Sequence, residues 1–488
     1  MIKLIGIELK KIFKHKSLYF IFIIISIFLL FNNILYKLDY DSDGRYKYDD
    51  TIDIDKDIKE LSIEISKYDI NNRNDINIYV TKKSKLDVLK GMKKYNINSW
   101  QFIKYDEYLY NYLYDINYYT YIEKNKNMLD KVTNKYNNII KYFNDNNWKY
   151  FVNLEKYKLV KELNDINNSI KNTQDKELLD NLKINKKTID YNLSIVNYRI
   201  DKDISYSNNY LNRALIEYQD GIIELDKYKS KKLTHNDYLK YNKLVTNINI
   251  NKYIINNKVN INKENNLNYQ LRNICSDYEL FIVLIILIVV GIMIGEEFSK
   301  GTIKLLLIKP YSRNKILFSK FFSGIVIIII TILYLIINQL IFGGICFGIS
   351  SLDINIPVYD LNMGQLRELN IFIYMLVYVM AKLPMFIMLL IISFFFSLFI
   401  INSIGSFAIV MIIYTFSSVI NNLVINYKIK IFSYFITLNW DFTNYLFGNI
   451  NNLSYLNFKK SFFIYLFYVI ILLSGVFINF NKKNIKNV

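Results

Sequence analysis

The chain has 488 residues and 61 Lys/Arg against 43 Asp/Glu, giving a net charge of +18, and 52% of it is hydrophobic. Two cysteines, Cys275 and Cys346, and two histidines, His15 and His235, exclude a Cys/His zinc cluster and a framework of several disulfides. The basic excess does not read as a nucleic-acid footprint, because it is nowhere gathered on one polar segment. Lys alternates with Asp/Glu in one part of the chain and stands at the ends of apolar runs in the other.

The composition is split. Residues 36–278 hold 41 Lys/Arg and 35 Asp/Glu, whereas the remainder holds 20 and 8 and carries long apolar runs. The abundance of Ile, Lys, Asn and Tyr, with only three prolines, has the look of an AT-rich coding bias, so the 43 tyrosines carry no functional reading.

Residues 1–17 form a basic amphipathic segment, with Lys3, Lys10, Lys11, Lys14 and Lys16. A membrane-spanning helix needs about 20 largely apolar residues, because each rises about 1.5 Å across a core of about 30 Å. Six runs qualify: Leu18–Leu35, Leu280–Gly295 (a span over 279–295), Phe321–Phe347, Ile371–Ile400, Ile404–Ile420 and Ser461–Phe480. A cleaved signal peptide is the competing reading of the first. The run is long and bulky and lacks a small-residue cleavage site, which favours a retained span.

The polar insert at 36–278 has no proline to break a helix, since none precedes Pro310. Apolar residues recur at alternating steps of four and three: Leu159, Leu163, Ile166, Ile170; Ile189, Leu193, Val196, Ile200; and Leu211, Leu215, Tyr218, Ile222, Leu225. Heptad spacing puts one apolar stripe on each helix, so antiparallel helices in a hairpin or small coiled-coil-like bundle are expected. Asn172–Asp175 and Ser205–Asn209 read as turns. Ile76–Val80 reads as a short strand, and the tyrosines of 105–121 as a core stripe rather than a ligand site. Scattered acids among lysines describe solvated helix faces, not an acid/base pair.

The fourth run contains Lys382, two residues before Pro384. One reading makes Lys382 an intramembrane functional residue. The other makes 371–381 an interfacial helix, lets Lys382 snorkel to the headgroups, and gives Pro384 a kink or helix start. Cys275 and Cys346 both fall near the predicted outer face. Two unrelated thiols are expected there rather than a bridge.

Short-loop charge orients the bundle. Five lysines lie in the N-terminal segment, six basic residues in 296–320 and three in the 481–488 tail, while the 348–370 loop has one, Arg367. Both termini and 296–320 are therefore expected in the cytoplasm, and 36–278 outside. The 421–460 loop fits this less well, with Lys428, Lys430, Lys459 and Lys460.

The most informative segment is 296–320. Gly301-Thr302 can end one helical turn and cap the next. Ile303 and Leu305–Ile308, with Lys304 and Lys309, form a short amphipathic stretch that Pro310 stops, and Ser312 can cap the next segment. The ordered set Glu297, Gly301, Thr302, Leu305, Leu306, Pro310, Ser312, Arg313 and Lys320 resembles the cytoplasmic loop of ABC-2 type transporter permeases. Glu8–Lys14 resembles the N-terminal amphipathic segment of that family. The resemblance covers the membrane half, about 245 residues, and not the insert.

The apolar runs, heptad spacing and loop charge together lead to the expectation of an all-α membrane protein of six spans with a large, mostly helical extracytoplasmic domain between spans 1 and 2, and six spans with both termini inside agree with the resemblance. The resemblance implies a coupling loop at 296–320 that docks on a separate ABC ATP-binding subunit, and a second permease subunit, identical or not, completing the pathway in the cell membrane. The chain has no Gly-x-x-x-x-Gly-Lys-Ser/Thr phosphate cradle, so ATP and Mg would belong to the partner and this chain would be no enzyme. The alternative is a membrane-anchored surface or sensor protein whose external helices bind a partner.

Overall fold

The computed structural model describes residues 1–39, 53–72, 74–229, 235–261, 265–299, 301–302, 311–400, 403–427, 430–448 and 457–482. The chain divides into two units. One is formed by Met1–Arg45, Tyr228–Thr246 and Ile261–Val488, the other by Tyr46–Lys227 and Asn247–Asn260.

In the first unit α1 (Ile2–Ile12) leads into α2 (Lys16–Asp39). Six helices are long and apolar enough to cross a membrane, so the chain is a multi-pass membrane protein. In hydrocarbon a helix is the open-ended element that satisfies its own backbone, which is why these Ile/Leu/Phe runs are helical despite their β-branched content. The spans are α2; α12 (Glu279–Val290), which continues through a π-turn at Gly291–Gly295 into α13 (Glu296–Ser299); α14 (Arg313–Phe347); α15 (Ile371–Phe399); α16 (Ser403–Tyr427); and α18 (Phe458–Lys482).

Ser312 caps α14 as its position suggests, accepting from the Lys315 N–H at 3.4 Å, so the helix begins at Arg313, ahead of the apolar run that starts at Phe321. Two further features were not legible in the sequence. α15 is one unbroken helix with Pro384 inside it, so 371–381 is not a separate interfacial helix. The 348–370 loop holds a hairpin, β1 (Ile356–Asp360) antiparallel to β2 (Gln365–Leu369), with Ile356 opposite Leu369. Asp360 caps its turn, accepting from the Asn362 and Met363 N–H groups, and Gly364 takes φ +64°.

Helices in lipid associate through close packing and polar contacts rather than hydrophobic burial. Gly324 of α14 permits such an approach: a Cβ there would lie 2.8 Å from Leu390 of α15. Asn33 of α2 and Gln339 of α14 form a reciprocal, fully buried amide pair at 3.1 and 2.9 Å. Between α16 and α18 the chain folds back on the bundle through a 3-10 turn at Lys430–Tyr434, then α17 (Ile436–Asn439) and Phe442–Gly448, burying Asn439, Trp440 and Tyr445. Cys275 and Cys346 are free thiols.

The second unit is helical. α3 (Ile54–Ile65), α4 (Asp75–Met92), α5 (Trp100–Tyr121) and α6 (Lys126–Asn144) precede the hairpin of α7 (Trp148–Asn172) and α8 (Lys176–Lys202). α9 (Tyr210–Lys229) comes next, then α10 (His235–Asn257), whose residues up to Thr246 count with the first unit and whose remainder counts with the second, and α11 (Leu267–Asp277) belongs to the first unit. The strand expected at Ile76–Val80 is instead the first turns of α4, where Val80, Ser84, Val88 and Gly91 face inward at helical spacing. Both expected turns are present. Asp175 caps α8 after the first turn. Buried Arg199 ties down the second, donating to the carbonyls of Ile204 (3.1 Å) and Ser205 (3.0 Å) and to Asn212 Oδ1 (2.8 Å). The core is aromatic: Trp100, Tyr105, Phe143 and Phe151 pack with ring centroids 4.8–5.6 Å apart. Tyr105 thus belongs to the core stripe.

Candidate functional site

The 296–320 segment is held at both ends by charges that lie far apart in sequence. Lys320, on the second turn of α14, is 1% exposed. Its Nζ lies 3.0 and 3.1 Å from the two carboxylate oxygens of Glu8 and 2.8 Å from Glu297 Oε2. Lys11 closes the cluster by pairing with the other oxygen of Glu297, and His15 Nδ1 stands 3.8 Å from Glu296. A buried charge is costly unless every partner is present, and here two lysines balance two carboxylates. α1 is therefore bound to both rims of the loop, the end of α13 and the start of α14.

Gly301 takes φ +68°, the left-handed geometry that ends a helix, and its N–H donates to the Phe298 carbonyl. Thr302 Oγ1 donates to the Glu297 carbonyl at 3.5 Å. Arg313 turns toward the end of α18, donating to the Asn481 carbonyl at 2.7 Å, and Asn481 donates to Asn314 at 2.7 Å. Leu305, Leu306 and Pro310, with the amphipathic stretch expected at 303–309, lie outside the described residues. The structure thus brings Glu297 and Lys320 together, places Gly301, Thr302, Ser312 and Arg313 at the loop's two feet, and adds Glu8 and Lys11.

A second ion cluster lies at the opposite end of the bundle. Lys382 is 6% exposed and its Nζ lies 2.7 Å from Glu279 Oε2, at the start of α12, and 2.6 Å from Asp441 Oδ2, in the fold-back segment. Tyr414 of α16 hydrogen-bonds Glu279. Asp441 is held from its other side by the Thr443 N–H at 3.0 Å and hydroxyl at 2.5 Å. Two residues on, the Pro384 carbonyl accepts from Tyr465 of α18 at 3.1 Å. Lys382 does not reach the bundle surface. It ties α12, α15 and the fold-back segment together, and the cluster carries one excess negative charge.

Sequence reasoning missed the partners Glu8, Lys11, Glu279 and Asp441. Glu279 is the one acid of the 279–295 run and Asp441 the one acid after Glu368, so both had a signal as isolated carboxylates in apolar surroundings. Among the described residues no three His, Cys, Asp or Glu side chains converge to hold a metal ion.

Residues 241–486 match the profile of a protein family of unknown function, DUF2705. The chain belongs to the DUF2705 family. The match begins within α10 and takes in every span except α2. Both Lys320–Glu297 and the whole Glu279–Lys382–Asp441 cluster therefore lie in the DUF2705 region, while Glu8 and Lys11 precede it. No curated protein and no solved structure matches the chain.

Proposed function

We propose that this DUF2705 protein is the permease subunit of an ABC-2 type exporter, driven by a separate ATP-binding subunit that docks on 296–320. The carrying observation is the ordered set Glu297, Gly301, Thr302, Leu305, Leu306, Pro310, Ser312, Arg313 and Lys320 between the second and third spans. In this reading both termini and the loop face the cytoplasm, and 36–278 lies outside. A second permease subunit, identical or different, completes the pathway, and ATP and Mg stay on the motor.

The ion cluster supports a mechanical role for the loop. Force applied at 303–310 reaches α13, α14 and α1 together, because Lys320 and Glu297 bind all three, and packed elements with fixed contacts move as levers rather than deform. The π-turn at Gly291–Gly295, just before α13, is a local break where such a movement can be absorbed.

Copurification of the full-length chain with an ABC ATP-binding subunit from its own cells tests the docking. The ATPase should copurify, its hydrolysis rate should change severalfold on binding, and Gly301→Pro, which cannot adopt φ +68°, should abolish that change while the chain still inserts. If the chain inserts but neither binds nor affects the ATPase, the transport reading is wrong and the surface-protein reading takes its place.

A further inference from the structure

Within the second unit, α3, α4 and α5 wall a groove of about 1060 Å³. α3 runs antiparallel to α4, with Asp55 paired to Lys93 at one end and Glu64 lying 2.6 Å from Lys82 at the other. α5 is also antiparallel to α4, since Asn117 donates to Ser84 Oγ at 3.1 Å and Tyr105 lies against Gly91. These registers put Asp57 and Asp106 toward the Lys93 end of the groove, and Lys67 and Lys85 toward the Glu64 end. Among the described residues neither Asp57 nor Asp106 enters an ion pair, whereas the lining acids Glu60 and Glu107 are answered on their own helices by Lys56 at 3.9 Å and Lys104 at 2.5 Å. At the other end three lysines, Lys67, Lys82 and Lys85, act on the single carboxylate of Glu64, and of these Lys82 pairs with it. One end therefore has two carboxylates to spare and the other two ammonium groups. Leu61, Leu89 and Met92 lie between them.

We propose that this groove binds a short apolar peptide with free termini, its amine at Asp57 and Asp106 and its carboxylate at Lys67 and Lys85. The charge order fits a zwitterion with an apolar middle, because a ligand of one sign would be repelled at one end. The length fits as well. Asp57 and Lys67 are ten residues apart along α3, a rise of about 15 Å, and an extended pentapeptide covers about 16 Å at about 3.3 Å per residue. The volume is at the upper end of the range of about 300–1000 Å³ usual for ligand sites, so side chains can settle on Leu61, Leu89 and Met92. Tyr110 and Asn111 on the α5 wall offer a hydroxyl and an amide to the peptide's backbone groups. The groove lies within one unit, so this inference does not rest on the transport reading.

Titration calorimetry of the full-length chain in mild detergent tests it, using the peptide Ala-Leu-Val-Leu-Ala with free termini, its N-acetylated and C-amidated forms, and Gly-Ser-Gly-Ser-Gly. Each charge pair at an exposed rim contributes about threefold, so acetylation and amidation should each weaken binding about tenfold. Asp57→Asn should weaken the free-amine peptides about threefold and leave the acetylated one unchanged. Lys85→Gln should weaken the free-carboxylate peptides about threefold and leave the amidated one unchanged. Both substitutions are at exposed positions outside any ion pair, so folding is not at stake. The Gly-Ser peptide should bind at least tenfold more weakly than the apolar one. Equal affinity for free and capped peptides, equal affinity for the Gly-Ser peptide, or Asp57→Asn acting on the carboxylate end overturns the proposal. So does peptide binding that weakens as the chain is concentrated, since a second copy would then fill the groove.

Discussion

Lys320 illustrates how a single residue type can be legible and its role hidden. A lysine at the head of a span reads as a charge facing the cytosol or lipid phosphates, yet it is buried against Glu8, whose position in the chain lies 312 residues away. Nothing local encodes such a pairing, whereas the cap at Ser312, whose partner is three residues on, is readable from sequence. Lys320→Met should destabilise the bundle by about 3–5 kcal/mol, because it strands Glu8 and leaves Glu297 with Lys11 alone. Glu8→Gln/Lys320→Met removes the stranded charge and should recover part of that loss. Thermal unfolding of the detergent-solubilised chain checks both, and equal losses would break the coupling.

Tyr105 gives a second residue-scale test. Burial, then its hydrogen bond to Tyr136, raises its hydroxyl pKa well above the ordinary 10. Below that ordinary value the neutral phenol suits both folded and unfolded chains. As pH rises past it, the unfolded chain ionises first, binds fewer protons, and stability falls. Unfolding midpoints monitored by Trp100 emission should therefore drop above about pH 10, less so in Tyr105→Phe.

At the scale of elements, the long apolar and heptad patterns are legible because period and length agree over many residues. The failures are short. Asp-Ile-Asn-Ile at 75–78 imitates strand alternation, but the four-residue spacing of Val80, Ser84 and Val88 overrules it. The β1–β2 hairpin escapes notice because its strands are five residues each, and its turn signal, Asp360 to Gly364, sits between two spans. The fold-back segment offers no pattern, since its docking depends on separate polar contacts: Lys382 to Asp441, Asn439 to the Ser433 and Phe435 carbonyls, and Ser461 to Asn439 and Tyr445.

Those contacts rank two substitutions. Lys382→Met leaves Glu279 and Asp441 facing each other without a cation, which costs several kcal/mol. Asp441→Asn leaves a neutral Lys382–Glu279 pair and should cost much less. A reporter cysteine in place of Tyr445, which is buried, should label with maleimide severalfold faster in Lys382→Met membranes and little faster in Asp441→Asn. The reverse order would mean that Lys382 does not hold the segment down.

For the molecule as a whole, the division into two units predicts separable stability. The insert has its own aromatic core around Trp100 and Phe143, and the membrane bundle is joined by buried amides and ion clusters. The three tryptophans divide usefully: Trp100 and Trp148 belong to the insert, Trp440 to the bundle. Gly91 faces the insert core, and a Cβ there would lie 2.0 Å from the Tyr105 hydroxyl and 2.2 Å from its ring. Gly→Ala ordinarily favours a helix by about 1 kcal/mol, but overpacking a rigid aromatic core costs about 1–3 kcal/mol, and Tyr105, 1% exposed, has little room to retreat. Gly91→Ala should therefore lower the unfolding midpoint reported by Trp100 and Trp148 in a Trp440→Phe background. The midpoint reported by Trp440 in a Trp100→Phe/Trp148→Phe background should stay where it is. If Gly91→Ala moves both midpoints together, the two units melt as one cooperative body, and a disturbance in the insert is transmitted to the spans.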